Sequence, residues 1–376
     1  MNTQKNLIRI LAAIGLGVIL NTVTPGFAAN GNTAKIVTFD VPGIGTASGQ
    51  GTFPFANNLQ GEITGYWVDP NGVGHGFVRH VNGDIVSFDA PGAGSITQGQ
   101  GINTEGRIVG DYQDSNNVGH GFLRAPDGTI TSFDAPEAGM QPYQWTYGLG
   151  INTFGLVAGD YQDVIGVWHS FLRSPDGTFT SFDAPGAGTN TIWGQGTYVQ
   201  QSQNLTEDGT IACFTQNANS IFEGYVRYPG GNFATISLLE GGTGFHQGTV
   251  VQAMNSQGIV TGYYQDNNFV NHGIVGYPNG PFTEFDLPVG GTSWAPGTTP
   301  TNISAEGEIT GYYGDVNGIW HGFIRHLDGA YTTFDAPGAG TGWGQGTIVS
   351  DVNGAGRITG SYTDANGVSH GFLRVP

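Results

Sequence analysis

Hydrophobic and polar residues alternate in short runs along most of this chain. One window, from Gln141 to Pro185, shows how the runs are punctuated. A first apolar run ends at Ile151 and Asn152, and Asn152 to Gly155 makes a tight turn of the Asn-x-x-Gly kind. A second runs from Leu156 to Tyr161, a loop covers Asp163 to Trp168, and a third spans His169 to Arg173. Pro175, Asp176 and Gly177 then turn the chain into a fourth run, Thr178 to Asp183. Period-two alternation over runs of about five residues predicts four antiparallel strands, and no segment after the N-terminus carries a helical apolar period. The 66 glycines and 18 prolines agree with many short strands joined by tight turns.

The same unit recurs. His-Gly-Phe begins at His75, His120, His321 and His370, with variants at His169 (His-Ser-Phe), His272 (His-Gly-Ile) and Glu223 (Glu-Gly-Tyr). Successive spacings are 45, 49, 54, 49, 49 and 49 residues, and a turn glycine (Gly61, Gly106, Gly155, Gly209, Gly258, Gly307, Gly356) repeats in the same register. Seven four-stranded units of about 49 residues predict an all-β fold, a seven-bladed β-propeller of four-stranded antiparallel blades. The last unit stops at Pro376 without its fourth strand, and Lys35 to Asp40 reads as a fourth strand lacking the other three. The N-terminal strand is therefore expected to complete the C-terminal blade and close the ring, which removes two sheet edges. A linear solenoid is the alternative, and it would require capping repeats that the chain does not show.

These motifs carry a family resemblance. The His-Gly-Phe-Leu-Arg stretch, preceded by Ile-Asn-x-x-Gly-x-Ile-x-Gly-x-Tyr, resembles the HAF-repeat family of extracellular proteins, with Gly here mostly replacing the Ala of His-Ala-Phe. The resemblance covers nearly all of the chain after its leader and implies location and repeat architecture. It implies no catalytic residues.

Each histidine has an aspartate six residues before it and another fourteen after it. The sets are Asp69, His75, Asp89; Asp114, His120, Asp134; Asp163, His169, Asp183; Asp266, His272, Asp286; and Asp315, His321, Asp335. Ring closure predicts a sixth, Asp364, His370 and Asp40, whose trailing member comes from the other end of the chain. If Ser174 to Thr178 is a type I hairpin with Gly177 left-handed, His169 lies opposite Asp183 and Phe182 opposite Ser170. In the variant copy all three positions change together, to Asn217, Glu223 and Ser237. Two readings follow. Each imidazole bridges two carboxylates and pins three strands in register, or the trio holds a divalent cation. Sixfold recurrence favours the structural reading, because repeated units repeat scaffold devices, and no cofactor is expected.

Three further features are expected to be structural. The aromatic two residues after each second-strand glycine (Trp67, Tyr112, Tyr161, Tyr264, Tyr313, Tyr362) is expected to pack between blades, and Cys213 to be small and buried. Arg79, Arg124, Arg173, Arg227, Arg325 and Arg374 end third strands and are expected to pair with nearby acids.

Function is sought in the exceptions. Loops joining fourth to first and second to third strands share one face, and that face receives Tyr143, Trp145, Tyr147, Trp193, His246, Trp294 and Trp343, with Trp168 and Trp320 beside them. Such aromatics suit stacking on sugar rings or docking of a protein ligand, so Trp145, Trp168, Trp193, Trp294, Trp320 and Trp343 are the candidate ligand-binding residues. They equally suit filling the wedges between blades. A second reading is a glycan-active enzyme, a polysaccharide lyase or hydrolase, at the variant copy, with Glu223 and His246 as catalytic candidates and Glu207 and Asp208 nearby. No nucleophile elbow, zinc-protease helix or phosphate loop is present.

Charge and the N-terminus bound the setting. Lys5 and Arg9 precede an apolar run from Ile10 to Leu20, and Gly26 to Ala28 offers small residues, so residues 1 to 28 read as a signal peptide and 29 to 376 as one propeller domain. A secreted or periplasmic location is expected. The formal charge is −18 and becomes −20 without Lys5 and Arg9. Such a surface disfavours nucleic acid and anionic lipid. No run reaches the length of a membrane span, Cys213 has no partner for a disulfide, and a monomer is expected.

Overall fold

The computed structural model describes residues 34–191, 194–199, 204–236, 238, 241–287 and 297–376. The chain is all-β. Twenty-eight strands and no α-helix occur among the described residues, and hydrogen bonding joins the strands into two large sheets.

Each repeat forms an antiparallel four-strand meander. In the third repeat the strands are Thr146–Ile151, Val157–Gln162, Trp168–Arg173 and Phe179–Phe182, each within a residue or so of its expected place. The hairpin register pairs Ser170 with Phe182, as the turn geometry required, and Gly177 has a φ of 93°. At Gly76, Gly121, Gly273, Gly322 and Gly371 the cross-strand Phe ring lies so close that a Cβ would come within 2.3 to 2.7 Å of it. That packing explains why the motif has glycine between its histidine and its aromatic residue.

Hydrogen bonds join neighbouring repeats at both ends of the strands. At one end of the strands, a single parallel bridge joins the start of a third strand to the start of the next first strand: Trp168 to Gly196, Phe222 to Gly248, Trp320 to Gly346. The glycine is left-handed there (φ 140°, 114° and 117°), and a Cβ would lie 2.0 to 2.2 Å from the facing carbonyl oxygen. At the other end, the turn asparagines bond forward. Asn58 donates to the carbonyl of Asn103, Asn103 to Asn152 and Asn152 to Thr206, while Asn255 donates to Ser304. Each asparagine also receives backbone N–H groups of its own turn through Oδ1, so one side chain closes a turn and ties it to the next repeat. Thr206 and Ser304 close their own turns through shorter hydroxyls.

The two chain ends meet. Strand Lys35–Phe39 pairs antiparallel with Ser369–Val375, Gly51 bridges Ser369, and Asn353 donates to the Asn58 carbonyl at 2.7 Å. First strands face a central space. Phe53, Phe55, Gln252, Thr299, Thr301 and Ile348, from four different repeats, line one cavity of about 280 Å3. The buried core is divided into clusters between neighbouring repeats, such as Ala56, Val78, Ile108 and Phe122.

Those clusters include a contact that differs from the expected acid pairing. The guanidinium groups of Arg79, Arg124, Arg173, Arg227, Arg325 and Arg374 lie 4.5 to 5.3 Å from the centres of Phe39, Phe88, Phe133, Phe182, Phe285 and Phe334, each on the fourth strand of the preceding repeat. A planar cation on an aromatic face is favoured where both are partly desolvated, whereas surface acids gain little from a distant arginine. The seventh pair is replaced on both sides at once, by Ile236 and Gly276. That joint change was readable in the sequence.

Candidate functional site

The six Asp-His-Asp sets assemble alike. Each histidine Nδ1 donates to the trailing aspartate at 2.8 to 3.0 Å: His75 to Asp89, His120 to Asp134, His169 to Asp183, His272 to Asp286, His321 to Asp335 and His370 to Asp40. The leading aspartate (Asp69, Asp114, Asp163, Asp266, Asp315, Asp364) stands 3.5 to 4.0 Å from Nε2. Its Oδ1 accepts two N–H groups of its own loop, as Asp69 does from Asn71 and Val73. The hydrogen bonds to Asp183 and Asp286 raise the imidazole pKa at His169 and His272.

The carboxylates lie on opposite nitrogens of the ring, so they do not converge on one point. Among the described residues no three His, Cys, Asp or Glu side chains are arranged to hold a metal ion. The set does not fit a divalent cation.

Two partners of this set are new. The aromatic after the second-strand glycine stacks on the imidazole at 4.6 to 5.2 Å, in the pairs Trp67–His75, Tyr112–His120, Tyr161–His169, Tyr264–His272, Tyr313–His321 and Tyr362–His370. A buried threonine of the next first strand accepts the N–H after the trailing aspartate, as Thr52 does from Val41 and Thr347 from Ala336. The recurring Gly-Thr at Gly51-Thr52, Gly196-Thr197 and Gly346-Thr347 was the available signal.

The variant copy is rewired. Asn217 still receives the loop N–H groups of Asn219 and Ile221, and its Nδ2 donates to Glu223 at 2.9 Å. Donor and acceptor have changed places relative to Asp and His. The hydroxyl of Tyr225, where most copies have Phe, stands 2.9 Å from Glu223 and 2.6 Å from the Pro185 carbonyl. Ser237 lies outside the described residues. Cys213 is fully buried, and burial pushes its thiol pKa far up, which leaves no thiolate nucleophile.

Glu223 and His246 are not brought together. The ring of His246 lies on Phe222 at 5.6 Å and on Phe245 at 4.0 Å. Phe222 and Glu223 are consecutive in a strand, so their side chains leave on opposite faces. Glu207 and Asp208 belong to a first-to-second-strand turn, at the other end of the strands.

The loop aromatics do converge, across three repeats. Trp145 stacks on Tyr147 at 5.0 Å, Tyr147 on Trp168 at 5.7 Å, and Trp168 tilts onto Tyr198 at 5.6 Å. Tyr198 stacks on Phe214 at 5.2 Å and Phe214 meets Phe222 edge-on at 5.5 Å, which brings the run to His246 and Phe245. The tyrosines stand on first strands, so the arc runs from the loop face toward the central space. Tyr147 pairs across strands with the buried Asp160. Burial raises the carboxyl pKa of Asp160, and raises that of Asp111, one repeat earlier, to about 7.

Other tryptophans stand apart from the arc. Trp320 meets Tyr312 edge-on, and Trp343 lies over Gly318 with 79% of its surface exposed. Trp193 and Trp294 lie outside the described residues. Beside the arc, Asn190, Gln195, Ala218, Asn219, Ser220 and Phe245 line an open pocket of about 430 Å3.

No protein-family model matches the chain, and no curated protein matches its sequence. The HAF-repeat family remains a resemblance in sequence motifs, which no family model supports. Solved structures do match. A catalytically inactive virginiamycin B lyase from Staphylococcus aureus, solved with quinupristin, gives a TM-score of 0.57 over 91% of this chain and 100% of the lyase, at 12% identity. A chain from a study of two prolyl endopeptidases gives 0.56 over 88% of this chain and 51% of its own length, also at 12% identity.

The chain has a β-propeller fold. At such low identity the likeness concerns this propeller's architecture alone, and its function has to be argued from its own site.

Proposed function

We propose that the protein is an exported, closed seven-bladed propeller that binds a neutral glycan at its loop face. The stacked arc Trp145–Tyr147–Trp168–Tyr198 carries this reading. Sugar rings present apolar C–H faces to aromatic planes and hydroxyls to amides, and the arc is flanked by the amides of Asn190 and Asn219. Acidity of the whole chain disfavours anionic polymers. Closure is supported by the pairing of Lys35–Phe39 with Ser369–Val375 and by the bond from Asn353 to Asn58. Export is supported by the leader-like residues 1 to 28.

The experiment is titration of the purified protein with neutral oligosaccharides, followed by tryptophan fluorescence, for the parent and for Trp168→Ala and Tyr198→Ala. Saturable binding, weakened about tenfold in each variant, supports the reading. A protein ligand in place of a glycan, or binding untouched by both variants, overturns it.

A further inference from the structure

The groove between the fourth and fifth repeats, on the face opposite the aromatic arc, differs from its counterpart two repeats earlier. Between the second and third repeats a groove of about 340 Å3 is lined by Arg107, Arg124 and Arg173, with Ala125, Ile151 and Pro175. The fourth-to-fifth groove is lined by Thr210, Tyr228, Met254 and Pro278 at the positions of Arg107, Ala125, Ile151 and Pro175, and by Tyr277. At about 590 Å3 it is larger, and no Lys, Arg or His among the described residues lines it. Two acidic residues, Glu207 and Asp208, line it instead. Gly276 stands where Arg173 does, and Ile236 where the ring under that guanidinium does.

We infer that this groove takes the arginine side chain of a partner polypeptide. At six other interfaces between blades, the chain supplies its own guanidinium over an aromatic ring. At this seventh interface Gly276 and Ile236 replace that pair, Phe282 packs against the cluster that holds Ile236 and Met254, and the groove beside it offers Tyr228, Tyr277, Glu207 and Asp208. Tyr277 is 53% exposed. Glu207 accepts from the N–H and hydroxyl of Thr153, and Asp208 from Thr206 and Thr210, so among the described residues the donors to both carboxylates are neutral. The Asp208 carboxyl is held below the usual range, first by the Thr206 hydroxyl, and stays charged. A guanidinium is planar, always charged and weakly hydrated, so it fits a tyrosine wall beside carboxylates better than an ammonium does.

Calorimetric titration of the full chain with the blocked tripeptide Gly-Arg-Gly, and with the same peptide carrying neutral citrulline, tests the inference. The arginine peptide is expected to bind saturably and the citrulline peptide at least tenfold more weakly. Tyr277→Ala and the pair Glu207→Gln with Asp208→Asn are each expected to weaken binding about fivefold or more. Asn279→Arg, which places a guanidinium at the exposed rim, is expected to block it. Asp328→Asn, in another turn on the same face, serves as a control for general charge. Equal binding of the two peptides, or equal losses in Asp328→Asn and the groove variants, overturns the inference. Because the arc lies on the other face, failure here leaves glycan binding untouched and is distinguishable from its failure.

Discussion

His370 donates through Nδ1 to the carboxylate of Asp40 at 3.0 Å, across 330 residues of chain. The contact repeats what five other histidines do within a single hairpin. Its cost of formation differs, because it brings together the two ends of the chain.

Asp40→Ala should therefore behave like Asp134→Ala in the interior, each losing about 1 kcal/mol in urea denaturation. Deletion of residues 34 to 40 should do more. It bares the edge of Ser369–Val375, and sedimentation should reveal association through that edge. A deletion as stable and monodisperse as the parent would remove the closing role of this strand.

The stacking of arginine on phenylalanine predicts energetic coupling. In a double-mutant cycle of Arg325→Leu and Phe285→Leu, the coupling energy should be about 1 kcal/mol. Additive losses would mean that the two side chains contribute only through burial.

Glycine positions separate backbone conformation from space. Gly346 (φ 117°) has a carbonyl oxygen 2.1 Å from where a Cβ would sit, while Gly344 (φ 75°) has nothing within 4 Å. Gly344→Ala should cost about 1 kcal/mol for its left-handed backbone, and Gly346→Ala about 3 kcal/mol or more, because the parallel bridge to Trp320 must open. Thermal melts of the two variants make the comparison.

Stability should peak in mildly acidic solution. Burial raises Asp111 and Asp351 to about 7. Between about pH 4 and 7 the unfolded chain has released these protons while the native state still holds them, so stability falls as pH rises. His169 and His272, raised by their hydrogen bonds, contribute fully below about pH 6.5 and lose that contribution as pH rises through their folded values. On the acid side, Asp69, Asp127 and Asp176 are held low by the N–H groups of Val73, Thr129 and Thr178, so their contribution is lost as pH falls below about 4. The melting temperature should be highest near pH 4 to 5 and decline toward pH 8, and Asp111→Asn should flatten the decline between pH 4 and 7. A melting temperature that rises from pH 5 to 8 would contradict this.

Features inside one repeat were legible in advance because they are local. Turn glycines, the Phe182–Ser170 register and the His169–Asp183 contact follow from counting residues around a hairpin. Features between repeats were legible only where two positions change together, as Ile236 does with Gly276. The stacking of Tyr161 on His169 was hidden because adjacent strands pair through backbone register, which a motif alone does not display. The convergence of Trp145, Trp168 and Tyr198 was hidden for a stronger reason. Trp145 and Trp168 come from a loop and a third strand of the third repeat, and Tyr198 from a first strand of the fourth.

By itself the sequence determined the repeat, its four strands, its turns and the partners His and Asp, since each depends on short-range geometry that alternation and glycine placement dictate. Only the tertiary structure decided which side chains meet across repeats: the arginine on the preceding phenylalanine, the asparagine on the next turn, the aromatic arc, and the groove that lacks its arginine. Those contacts depend on how one meander packs on the next, and that relation is set by the joint packing of whole faces.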